Sequence, residues 1–132
     1  MQDDLTQFYQ GVQKVGKLRT EEHARRWTVG VLKTLGVSLP GKTKRKLARA
    51  LPDGLAQSLT DVFWLLHFRN ANLSSDDFQR AAARRSGNSD AQFARFPILA
   101  VFGGIKSMIN QDLQLEVSQS LSPELRQLWE QA

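Results

Sequence analysis

A chain of 132 residues with 41% apolar and 23% charged side chains has globular composition. Folding would reduce its surface from about 21,000 Å² to roughly 7,000 Å², enough burial for one domain or for two small halves sharing a core. There is no cysteine, which excludes disulfides, thiolate nucleophiles, iron–sulfur clusters and cysteine-based zinc sites. The net charge of +5 and the pI near 10.0 favour acidic partners without identifying one.

His23 and His67 are the only histidines and stand in no metal-ligand spacing, so no metal and no cofactor is expected. Met1-Gln2-Asp3-Asp4 is acidic, unlike a signal peptide. The longest uncharged apolar run, Phe96 to Ile105, is about half of what a membrane helix needs. A cytoplasmic protein without a transmembrane segment is the expectation.

Leu5, Phe8, Tyr9, Val12 and Val15 recur at helical spacing and predict a helix over 4–17, with Asp4 and Gln7 as a capping box and Gly16 as its end. Thr20 caps a second helix, with Glu21 and Glu22 well placed for its dipole. Its buried stripe is Ala24, Trp27, Val31 and Leu35, and Pro40 stops it by Leu39. A short helix follows over 42–50 on Leu47 and Leu51, and Pro52 opens another turn carrying Leu55 and Leu59. Thr60 caps a hydrophobic helix over 61–68.

After a joint at 69–73, Ser74 and Asp77 begin a helix holding Phe78, Ala81 and Ala82, which Gly87-Asn88 breaks. Ser89 with Gln92 caps a long helix reaching Ile109, in which Pro97 should make a kink. Leu113 and residues 117–121 give a short helix. Ser122-Pro123-Glu124 supplies a cap, a first-turn proline and a first-turn acid to a last helix carrying Leu125, Leu128 and Trp129. No stretch alternates with period two for more than a few residues, so the expected fold is all-α.

The halves follow one plan. A shift of 70 residues aligns Phe8 with Phe78, Ala24 with Ala94, Arg25 with Arg95, Val31 with Val101, Leu51 with Leu121, Leu55 with Leu125 and Gln57 with Gln127. Apolar type is also kept at Leu35/Ile105, Leu39/Ile109 and Leu47/Val117. Two tandem helical units of about 60 residues are expected, over 1–70 and 71–132, around a shared core. The run from Ala24 to Leu35, followed by Leu47-Ala48-Arg49-Ala50-Leu51-Pro52, resembles a bacterial family of small helical proteins, the domain of unknown function numbered 2267. In the second half Ala94, Val101, Phe102, Ile105 and Leu121 match, while Ser122 departs from the Leu-Pro ending and Pro97 interrupts the long helix. The resemblance implies a helical fold and no catalytic residue.

Gly36-Val37-Ser38-Leu39-Pro40-Gly41-Lys42-Thr43 fits the pattern of a phosphate-binding loop. Such a loop must leave a strand, and the residues before it have helical periodicity, so a helix stop and a new start are expected instead. Lys42, Arg45, Lys46 and Arg49 fall within about 100° on a helical wheel, opposite Leu47 and Leu51. Cations at a helix start oppose the dipole. An anionic partner held by these side chains, with Gly41 and Thr43 supplying amides, would relieve that conflict; a purely solvated face is the plainer reading. Residues 1–70 carry twelve Lys and Arg against six Asp and Glu, and residues 71–132 six against seven. Self-association through unlike ends is therefore one option.

The preferred function is a non-enzymatic binding or adaptor module whose basic edge takes an acidic protein or another anion. One alternative is an enzyme or small-ligand binder using an apolar pocket of Trp27, Phe63 and Trp64. The other is a nucleic-acid backbone binder, for which Arg80, Arg84 and Arg85 offer a second patch. His23 and Trp27 share a helix face, His23 half-buried beside the indole. Gly30 and Ala100 mark a close crossing of the two long helices, and Gly103-Gly104 marks close packing or a kink.

Overall fold

A computed structural model describes residues 5–60, 73–87, 90 and 92–132. These residues form eight helices and no strand: α1 (Thr6–Val15), α2 (Glu21–Ser38), α3 (Gly41–Ala50), α4 (Asp53–Thr60), α5 (Ser75–Arg85), α6 (Arg95–Lys106), α7 (Gln111–Ser120) and α8 (Pro123–Gln131). The expected helix over 61–68 and the caps expected from Asp4 and Ser89 lie outside the described residues.

Four of the eight helix starts follow local hydrogen-bond chemistry. Thr20, Ser74, Asn110 and Ser122 each have extended backbone, and each side chain accepts from the amide three residues on. Those bonds satisfy donors that a helix start leaves unpaired. Stops are equally legible. α2 ends at Ser38 before extended Leu39, and α1 gives way to Gly16 and then Lys17, whose φ of 58° leaves the helical region. After α5, Gly87 has a φ of 79°, where a side chain would be strained.

Helix α2 is the centre of the packing, with α1, α4, α5 and α6 around it. Trp27, Val31, Leu32 and Leu35 are fully buried along it. Phe102 stands between Phe78 and Trp129, its ring centroid 5.7 Å from the first and 5.3 Å from the second. The Trp129 indole N–H is satisfied at 3.1 Å by the Gln114 carbonyl. Helix α1 runs antiparallel along α6, because Gly16 lies against Pro97 and Gly104 against the Phe8 ring.

Three expectations need correction. Val15 is 60% exposed and belongs to no core stripe. Helix α6 begins at Arg95, so Pro97 falls in its first turn, where the missing N–H is no loss and no kink is required. Ahead of it, Asp90 Oδ1 accepts from the Gln92 and Phe93 amides at 3.1 Å. Gly30 makes room for α5 rather than α6: it abuts the Ser86 hydroxyl, and a Cβ there would lie 2.8 Å from the Ala82 carbonyl.

Candidate functional site

Helix α3 is short because Pro40 begins it and extended Leu51 ends it. Thr43 and Leu47 are its buried residues, so one side is anchored and the opposite side faces solvent. Lys42, Arg45, Lys46 and Arg49 are exposed and Lys44 is half-buried. Burial, reinforced by neighbouring Arg45, holds the Lys44 ammonium below the usual lysine value. Pro40 has no capping side chain and the first turn has no acidic residue. Five cations thus lie on a helix whose N-terminal end is already positive.

A carboxylate from α7 meets this helix. Glu116 Oε1 accepts from Lys46 Nζ at 3.0 Å, and its Oε2 accepts from the Thr43 hydroxyl at 3.2 Å. Thr43 Oγ1 also lies 3.3 Å from Ser120 Oγ, and Ser120 donates to the Glu116 carbonyl at 2.8 Å. The hydrogen bond from Lys46 holds the Glu116 carboxyl below the ordinary glutamate range. Desolvation opposes it, and Thr43 and the charge of Lys42 assist. The group can clamp α3 to α7 electrostatically. It holds no pair of carboxylates for acid–base work, and its Thr43 and Ser120 hydroxyls are engaged in holding α3 to α7.

The predicted residues Gly41, Lys42, Thr43, Arg45, Lys46 and Arg49 therefore share one helix but not one role. Gly41 opens it, Thr43 turns inward, Lys46 reaches Glu116, and Lys42, Arg45 and Arg49 project from the exposed face. Glu116 was missed as a partner. Its signal was its place: it stands 70 residues after Lys46, with opposite charge.

Other candidates resolve differently. Residues 36–43 are the end of α2, a turn and the start of α3, so the phosphate-loop pattern has no strand to leave. Trp27 is fully buried, packed on Phe93, and donates its indole N–H to His23 Nε2 at 3.2 Å. Phe63 and Trp64, the other residues of the expected apolar pocket, lie outside the described residues. Of the second basic patch, Arg80 pairs with Asp76 at 2.9 Å and Arg85 donates to the Thr34 hydroxyl at 2.9 Å. No group of three His, Asp or Glu among the described residues could hold a metal ion, and no described helix is long and apolar enough to cross a membrane.

Fold and site together define an all-helical protein with a cation-rich short helix braced by one carboxylate. The chain belongs to DUF2267, a family described as uncharacterized conserved proteins, whose pattern matches residues 6–128. No curated protein matches it.

Proposed function

We propose that the protein is a non-enzymatic binding or adaptor module that offers the exposed face of α3 to an acidic protein surface. The observation that carries this reading is the exposure of Lys42, Arg45 and Arg49 on one side of a helix anchored through Thr43 and Leu47 on the other. A first-turn cation such as Lys42 works against the helix dipole by about 0.3–1 kcal/mol. Glu116 offsets part of that conflict at Lys46. An acidic partner would offset the rest, and its capture would be steered by the chain's net charge of +5.

The two-unit organisation, 1–70 and 71–132, is part of the same reading and rests on local correspondences. Helices α3 and α7 each have ten residues and begin 70 positions apart. Thr20 caps the His23 amide as Asp90 caps that of Phe93, and Lys17 and Gly87 share positive φ. Each short helix reaches across, α1 onto α6 and α5 onto α2. Within this plan the charge of α3 is a divergence of one unit, since α7 carries Asp112 and Glu116 and no cation.

Titration of a glutamate-rich peptide, with a random DNA duplex as the competing anion, tests the reading. The peptide should bind in low salt and release as salt rises, with little affinity left in the Lys42→Glu, Arg45→Glu, Arg49→Glu triple variant and its helical circular dichroism unchanged. Tighter binding of the duplex through the same residues would move the assignment to nucleic acid. Binding of the peptide that the triple variant retains would remove α3 from the function.

A further inference from the structure

A groove of about 580 Å³ lies between α1 and α6, remote from α3. Phe8, Val12, Val15 and Leu99 form its apolar walls and Met108 one end. Its floor is opened by glycine: a Cβ on Gly11 would touch nothing within 4 Å, and one on Gly103 only a backbone carbon at 3.7 Å. Gly104 is a different case, since the Phe8 ring fills the space beside it. The groove is therefore built from both close packing and missing side chains, and its volume falls in the range of small-ligand sites. Val15 and Met108, two of the four exposed large apolar residues described, line this groove.

Charge gives the groove a direction. The described residues 5–18 and 92–109 contain no Asp or Glu. Because the helices are antiparallel, the last turn of α1 meets the first turn of α6, bringing Lys14, Lys17 and Arg95 to one end. Lys17 Nζ lies 4.4 Å from the Phe96 ring centroid, and Arg95 donates to Gln131, which lines the groove. At the far end Lys106 is occupied with the backbone oxygens of Trp129 and Ala132, at 2.9 and 3.2 Å, and thereby holds the end of α8 against the groove. A second copy would bring like charges together here. An apolar trough about 15 Å long, the length of ten-residue α1, with cations at one mouth calls for an apolar chain with an anionic head.

We infer that the α1–α6 groove is a binding site for a single-chain anionic amphiphile of the free fatty-acid class, its alkyl chain lying over Gly11 and Gly103 and its carboxylate facing Lys14, Lys17 and Arg95. The site is independent of the α3 surface. Dodecanoate, added below its micellar concentration to ¹⁵N-labelled full chain, should give saturable one-to-one shifts centred on the Gly11, Gly103 and Gly104 amides. Gly11→Leu, whose Cβ would meet nothing within 4 Å, puts a side chain into the groove, and it should weaken binding by roughly tenfold or more. Lys14→Glu with Lys17→Glu should weaken it by about tenfold, the effect expected of two screened surface charges. Val15→Glu, at an exposed wall position, gives the same reading should Gly11→Leu fold poorly. Dodecanol and dodecyltrimethylammonium should bind more weakly than dodecanoate. Unsaturable or scattered shifts, equal binding of the trimethylammonium compound, unaltered binding by both groove variants, or binding seen only with anionic vesicles would overturn the assignment.

Discussion

Lys46 and Glu116 occupy the same position in two ten-residue helices whose starts are 70 residues apart, and the two side chains are joined to each other at 3.0 Å. The pair links the first half of the chain to the second through a carboxylate that meets α3's cations. Its strength depends on the ionisation of Glu116. The Lys46 hydrogen bond depresses that carboxyl in the folded state, so its contribution to stability is complete above the unfolded glutamate value, about 4.3. It is lost as pH falls through the lower folded value.

Glu116→Gln should therefore melt below the wild type at pH 7, with the gap closing in acid. Thermal unfolding of both proteins between pH 2.5 and 7 checks this. A gap of constant size across that range would mean that Glu116 acts through packing rather than charge. Added salt should narrow the gap at neutral pH, because the pair is partly exposed.

Gly30 and Gly11 predict opposite responses to the same change. Alanine stabilises a helix interior by about 0.5–1 kcal/mol relative to glycine where space allows. Gly11 has that space, and Gly11→Ala should raise stability by about this amount. At Gly30 the added carbon meets the Ala82 carbonyl and the Ser86 hydroxyl. Because backbone must move to accommodate it, Gly30→Ala should cost about 1–3 kcal/mol. Denaturant unfolding of the two variants gives both values, and a stabilised Gly30→Ala would mean that α5 can shift freely along α2.

Much of this fold was legible because its signals are local. The stripe Ala24, Trp27, Val31 and Leu35 is buried as its spacing required, and the Thr20, Ser74 and Ser122 caps need only three residues of context. The phosphate-loop pattern could be set aside on the same grounds, since 36–43 follows a helical period. What the sequence hid was three-dimensional pairing. Nothing in one dimension says that Gly30 faces α5, that Glu116 reaches Lys46, or that Gly103 opens a groove while adjacent Gly104 is closed by Phe8. Val15 misled because apolar periodicity marks a face, and that face of α1 lines a groove open to solvent.

His23 has a structural role that a melt can read. Its Nε2 accepts the indole N–H of fully buried Trp27, and a buried donor left without a partner costs about 1–3 kcal/mol. His23→Ala should destabilise by that amount, and Trp27 fluorescence should change as water or a void replaces the imidazole. His23→Gln, whose side-chain oxygen can accept, should recover part of the loss. A neutral His23→Ala would show that the indole N–H finds another acceptor.

The exposed cations of α3 should separate stability from binding. Lys42 lies in the first turn, where its charge opposes the helix dipole, whereas Arg49 lies in the last turn, where its charge is favourable. Lys42→Gln should leave stability unchanged or slightly raised, within about 0.5 kcal/mol, since its loss at Glu116 and its gain at the dipole offset each other. Arg49→Gln should lower it by about 0.3–1 kcal/mol at low salt. Both variants should nevertheless weaken capture of an acidic peptide in the same direction, because a partner reads the cations' shared face and not their place along the helix. Unfolding curves and peptide titrations on the same two proteins make the comparison. If affinity tracked stability instead, rising with Lys42→Gln and falling with Arg49→Gln, the cations would be acting on the helix and not on a partner.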